Sequence, residues 1–202
     1  MAQSYKIADG EVIDEIIISR SRFICYLNAC SSVAQSKEYL KQIQLLHPQA
    51  SHHCYAFVAG APLDSQCYGF SDDGEPSGTA GRPMFAVLQG SELGQVCAIV
   101  VRYFGGTKLG TGGLQRAYAA SVRQALTLLQ TKLKIAMVFK TITCQYNQAN
   151  DIQHMIIKNG GEVLTQDYSD NVCLSIAIPQ DSFTHAAQQL LTMSAGQLTF
   201  KS

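Results

Sequence analysis

The sequence predicts an α+β protein of two domains, and three observations carry that prediction. From Met137 onward, alternating apolar runs and helical spacing succeed one another in the order βαββαβ. Ahead of that segment stands a different mixture, in which a strand pair is followed by a helix and then by further strands and helices. The two patterns meet near Lys134 to Met137 with no flexible linker, so the domains are expected at 1–134 and 135–202.

In the first domain, "EVIDEIIISRSRFICYL" (Glu11 to Leu27) is rich in Ile and Val with a polar break at Ser19 to Arg22, which reads as two antiparallel strands. "SSVAQSKEYLKQIQLLHP" reads as a helix. Ser31 or Ser32 can cap it, Val33, Tyr39, Leu40, Ile43 and Leu46 form its apolar stripe, and Pro48 prevents continuation. "HHCYAFVAG" then reads as a strand and "GRPMFAVLQG" as a short helix. "GQVCAIVVRYFGG" is apolar on both alternating faces from Val96 to Phe104, which predicts a central strand. Beyond it, Leu114, Ala117, Tyr118, Ser121, Val122, Ala125 and Leu129 recur at helical spacing.

In the second domain the strands are "MVFKTITCQY", "EVLTQDY", "VCLSIAIP" and a closing "GQLTFKS". Its helices are "NQANDIQHMIIKNG", ended by Gly160, and one starting at Asp181. This order is that of a ferredoxin-like split βαβ sandwich, expected to leave one sheet face open.

Composition limits the function. The 202 residues are 47% hydrophobic, enough for two cores. Lys and Arg total 15, as do Asp and Glu, so no overall basic excess advertises nucleic-acid binding. The local balance is different. Arg82, Arg102, Lys108, Arg116, Arg123, Lys132 and Lys134 face only one acid, Glu92, between residues 82 and 134. Seven scattered cysteines without a C-x-x-C pair argue against a disulfide framework and a structural zinc site. With no apolar signal region and no 18-residue apolar window, a cytoplasmic protein without membrane contact is expected.

Two glycine-containing stretches carry the candidate chemistry. "RYFGGTKLGTGGLQRAYAA" places Gly105, Gly106, Gly110, Gly112 and Gly113 where a strand becomes a helix. It fits neither the P-loop, whose lysine and hydroxyl would be misplaced, nor G-x-G-x-x-G, whose third glycine is missing. Glycines at a helix N-terminus nevertheless let backbone N–H groups approach an anion. Arg116 and Arg123 share one helical face, about 10 Å apart along the axis, with Ala119 and Ala120 between them. Such a surface suits a sugar-phosphate backbone, and equally suits a solvated face above a tight turn.

The second stretch is "SDDGEPSGTAGRP". Its Asp72, Asp73 and Glu75 could hold a hard cation, or pair with Arg102 or Arg82 to tie two turns together. In "HHC", His52 and Cys54 would share a strand face, with no orienting acid nearby in sequence, which favours a structural role.

Together, "SDDGEPSGTAGRP" and "VVRYFGGTKLGTGGLQRAY" closely resemble the Impact family, and the whole chain looks like its bacterial YigZ-type branch. The resemblance implies a first domain with the fold of domain four of elongation factor G, shared with a small-subunit ribosomal protein. It implies a second domain similar to that factor's ferredoxin-like domain five. Both relatives touch ribosomal RNA, but fold analogy alone does not establish function. The eukaryotic Impact protein regulates translation by competing for the activator of an amino-acid-starvation kinase, and carries an RWD domain ahead of the shared one. Here Met1 stands almost directly before the first strand, so that domain and the kinase link are not carried over, and an association with translation is.

The expectation is therefore a non-catalytic protein that binds RNA or the ribosome and modulates translation, with a translation-associated protein as a further partner. Its nucleic-acid-binding residues would be Arg102, Gly105, Gly106, Lys108, Gly110, Gly112, Gly113, Arg116 and Arg123. No cofactor, metal or catalytic residue is assigned. Two rivals stay open at this stage: a metal-assisted hydrolase or phosphate-handling enzyme using Asp72, Asp73 and Glu75, and a protein-interaction module using the open ferredoxin-like sheet.

Overall fold

The computed structural model describes residues 4–62, 64 and 66–201. It divides into two compact units, Tyr5–Lys134 and Ile135–Ser202, with Ser4 grouped with the second.

In the first unit the strands β1 (Tyr5–Ala8), β2 (Val12–Ile18), β3 (Ser21–Ala29), β4 (His52–Val58), β5 (Tyr68–Ser71), β6 (Val96–Tyr103) and β7 (Thr131–Lys134) alternate with helices α1 (Val33–Leu46), α2 (Gly81–Gly90) and α3 (Gly110–Leu128). Five strands form one antiparallel sheet in the order β2-β3-β6-β4-β5. β6 lies at its centre and is buried on both faces as far as Arg102, which is why its sequence reads apolar without alternation.

α2 and α3 cover one face of this sheet. Phe23, Cys25, Leu27, Cys54, Val100 and their neighbours pack there against Met84, Leu88, Tyr118 and Val122. Burial of a large side chain of this kind stabilises by about 1.5–3 kcal/mol relative to exposure. On the other face α1 covers Ile24, Tyr26, Phe57, Ile99 and Val101. Ser32 caps α1 by accepting from the Gln35 N–H at 3.2 Å.

Three short strands were not foreseen. β1 and β7 form a two-stranded ladder, from Tyr5 opposite Lys134 to Ala8 opposite Thr131, and Ile7 of β1 also bridges to Gly94. β5 is an edge strand whose Tyr68 and Phe70 stack on Phe85 of α2 at 4.6 and 5.6 Å. Each has four residues, too few to establish a period of two against a helical one.

The second unit contains β8 (Met137–Cys144), α4 (Tyr146–Lys158), β9 (Glu162–Tyr168), β10 (Val172–Pro179) and α5 (Gln180–Met193). Its strands pair antiparallel in the order β8-β10-β9, with α4 and α5 packing on one face over Ile142, Leu174, Ile176 and Ile178. Phe139 on β8 stays exposed. α4 ends where Gly160 takes φ 76° and the Gly161 N–H returns to the Ile156 carbonyl at 3.0 Å.

The expected closing strand is corrected. Among the described residues of that stretch, which exclude Ser202, only Lys201 bridges to β8, through two backbone hydrogen bonds with Thr141. The alternating Leu198 and Phe200 that suggested a strand instead pack on the core, with Phe200 against the Phe183 ring. The tail is held by side chains and one bridge, which leaves a ferredoxin-like unit whose fourth strand is vestigial.

Candidate nucleic-acid interface

The first unit's candidate residues fall into three places. Arg102 occupies the end of β6, on the same face as Ala98 and Val100, between Phe23 of β3 and His52 of β4. Its guanidinium is therefore directed under α3 rather than to solvent, and only 5% of the residue is exposed. It pairs with Glu75 at 2.6 Å and donates to the Ser21 hydroxyl at 3.4 Å. The rings of Phe23 and Phe104 lie 5.4 and 5.6 Å from its central carbon. Glu75 accepts a second hydrogen bond from the Tyr118 hydroxyl at 2.8 Å. This completes a buried ion pair in which Glu75 is doubly hydrogen-bonded, while the Arg102 Nε has no hydrogen-bond partner among the described residues.

Arg102 is thus withdrawn from the set of phosphate contacts. A guanidinium enclosed by Glu75, Ser21 and two aromatic rings supports the fold and does not face a polymer.

The acidic turn is equally occupied. Burial by itself would raise the Asp72 pKa, but the N–H groups of Gly78, Ala80 and Gly81, at 2.8, 2.9 and 2.8 Å, hold it below the ordinary value. Gly81 opens α2, so Asp72 also supplies a carboxylate to that helix's N-terminus. Asp73 accepts from the His53 N–H at 2.6 Å. The three acids serve three different partners, and among the described residues no three His, Cys, Asp or Glu side chains converge to hold a metal ion. That corrects the reading in which Asp72, Asp73 and Glu75 form a cation site.

His52 and Cys54 do share a face. The His52 Nδ1 lies 2.8 Å from the Asp73 carbonyl, and the Cys54 thiol donates to the Asp72 carbonyl at 3.0 Å. Burial pushes the Cys54 thiol pKa far up, so it is an un-ionised packing group and not a nucleophile.

The glycine turn between β6 and α3 is the second place. Gly105 packs against the Arg20–Ser21 backbone so closely that a Cβ there would lie 2.0 Å from the Arg20 carbonyl carbon. Its glycine is a packing requirement. Gly110 opens α3 with φ 69°, a left-handed conformation that side chains resist. Gly106 and Gly112 face open space, as does Gly110, while Gly113 lies against Leu109. The helix begins without a side-chain cap, and Lys108 is exposed just before it.

Arg116 and Arg123 form the third place. α3 buries Leu114, Ala117, Tyr118, Ser121, Val122 and Ala125, which turns both arginines outward. They line an open groove between α2 and α3, with Ala119 and Ala120 between them and Ala86 and Gly90 on the opposite wall. Neither helix contains an acidic residue. No ion pair among the described residues engages Arg116, Arg123 or Lys108.

The geometry joins Arg116 to Arg123 and separates them from Lys108 and Arg102. The contribution of α2 was missed from the sequence. Its signal was the small pair Ala86 and Gly90, four residues apart and hence on one face of a helix that was itself expected. Arg20 was also missed. Its guanidinium reaches from the β2–β3 turn to the Thr107 hydroxyl at 2.7 Å, bracing the glycine turn.

Residues 19–126 match the Impact N-terminal domain, and residues 142–197 match a domain of unknown function, DUF1949. The chain belongs to the Impact family. It is 44% identical to the IMPACT family member YigZ of Escherichia coli over 93% of this chain and 91% of that one. It is 41% identical to an IMPACT family member of Haemophilus influenzae, over 98% and 96% of the two chains. A crystal structure described as that of a hypothetical protein shares 41% identity and a TM-score of 0.73, covering 100% of this chain and 98% of that one. The chain is accordingly an Impact protein of the YigZ type. Both of its glycine-containing stretches, the acidic turn and the start of α3, fall inside the matched Impact N-terminal domain.

Proposed function

We propose that this Impact protein binds RNA or ribosomal particles in the cytoplasm and modulates translation without catalysing a reaction. The observation that carries the reading is the α2/α3 groove, where Arg116 and Arg123 stand exposed on α3 and neither helix has an acidic residue. A cation without an internal partner retains its full attraction for phosphate, and several acting together favour a polymer over a single anion. Lys108 and the uncapped start of α3 supply a second positively polarised patch at the head of the same helix. No described helix is long and apolar enough to cross a membrane.

The experiment is a salt titration of RNA binding by the full chain. The wild type should bind structured RNA or ribosomal particles with log affinity falling linearly against log salt. Replacing Arg116 and Arg123 together by alanine should reduce that slope by about two, because two phosphate contacts are lost. Tight, metal-dependent binding of a mononucleotide that ignores the double substitution, with no RNA retained at low salt, overturns the reading.

A further inference from the structure

The same groove discriminates between forms of RNA, and we propose that it takes double-helical RNA by its backbone rather than single strands by their bases. This rests on the RNA-binding reading above and names its ligand more narrowly.

The argument is from what the groove lacks and what fills it. Proteins that hold single strands combine a basic track with aromatic faces on which successive bases stack. No Phe, Tyr or His lines the groove, and the chain has no Trp. The neighbouring aromatics are committed elsewhere. Phe85 of α2 is stacked with Tyr68 and Phe70 on β5, and Tyr118 of α3 is wholly buried and bonded to Glu75. An unstacked base would find no π surface between the two arginines.

What the groove offers is shape and charge. Ala86, Gly90, Ala119 and Ala120, with the aliphatic Pro83, Val87 and Leu126, give it a smooth lining without aromatic faces. Arg116 and Arg123 hang from one rigid helix, two turns apart, so their separation is set by the backbone and not by a flexible loop. A fixed pair of cations with no aromatic face between them suits the wide, shallow minor groove of A-form RNA. There phosphates and 2′-hydroxyls stand at regular intervals and bases remain stacked within the duplex. Recognition is then of helical form and indifferent to sequence.

The test uses the full chain and three probes at one fixed, low salt concentration: an RNA duplex of about 16 base pairs, an unstructured RNA strand with the same number of phosphates, and a DNA duplex of the same sequence. Fluorescence anisotropy should show the RNA duplex bound about ten-fold tighter than the single strand, and tighter than the DNA duplex. Arg116→Ala with Arg123→Ala should abolish that advantage while the far-UV circular dichroism and melting curve stay unchanged, since both side chains are exposed. Single strand bound as tightly as RNA duplex overturns this inference and leaves RNA binding standing. Equal binding of the DNA duplex removes the A-form assignment, and duplex affinity untouched by the double substitution removes the groove. Retention of no probe at low salt overturns both this inference and the function proposed above.

Discussion

The two glycine-containing turns of the first unit look alike as sequence and behave oppositely as structure. In Ser71 to Pro83 every acid has a partner inside the protein: Asp72 collects three backbone N–H groups, Asp73 a fourth, and Glu75 the Arg102 guanidinium. In Phe104 to Gly113 the helix start is uncapped, and three glycines border open space. One turn is closed on itself and holds β4, β6, α2 and α3 in place. The other leaves backbone donors and one cation, Lys108, facing outward. A motif can identify a family for two separate reasons, and here one half is architecture and the other half is surface.

The largest expected effect breaks the closed turn. Arg102→Ala leaves Glu75 buried and uncompensated and should destabilise by about 3–5 kcal/mol, read from urea unfolding. The double replacement Arg102→Met with Glu75→Leu should recover much of that loss, because it removes both charges. A single-variant loss no greater than that of Arg116→Ala would contradict the division between the two turns.

A smaller effect comes from Asp72. Asp72→Ala should cost about 1–3 kcal/mol for its backbone partners left unpaired. The pH dependence has a definite sign. The folded carboxyl titrates below its unfolded value, so its stabilisation is complete above the unfolded pKa and disappears as pH falls through the folded one. Unfolding midpoints of wild type and Asp72→Asn should therefore converge toward acid pH. Parallel curves would show that the carboxylate charge contributes nothing there.

The finest contrast lies within the open turn itself. Gly105→Ala drives a methyl group into the Arg20 backbone and should cost about 1–3 kcal/mol, as overpacking does. Gly112→Ala meets open space inside a helix and should be neutral or stabilising by about 0.5 kcal/mol. Thermal melts of the two variants, run together, separate a glycine required by packing from one that is not. Equal losses would mean that the whole turn is rigidly packed.

Much of this arrangement was legible in the sequence because periodicity encodes direction. The buried stripe of α3 placed Arg116 and Arg123 outward, and the double-faced apolar run of β6 placed that strand at the sheet centre. Charge does not encode direction in that way. Arg102 and Arg116 are the same residue type in the same motif, and only the alternation of β6, which sets Arg102 on the face of Val100, separates them. The closing strand failed for the opposite reason. Leu198 and Phe200 alternate as a strand would, but core packing with a single backbone bridge satisfies the same pattern. β1, β5 and β7 lie below the length at which a period can be read.

The pairing of β1 with β7 has a consequence for how this unit can be handled as a piece of polypeptide. Tyr5 and Lys134 are partners in one ladder, so the unit's entry and exit points are a strand spacing of about 4.8 Å apart. A segment whose two ends are neighbours can be spliced into a surface loop of a host protein without stretching that loop. Its ends can likewise be joined by a short peptide and new termini opened at an exposed surface turn elsewhere. The clasp makes the first unit a portable cassette, delimited by its own hydrogen bonds.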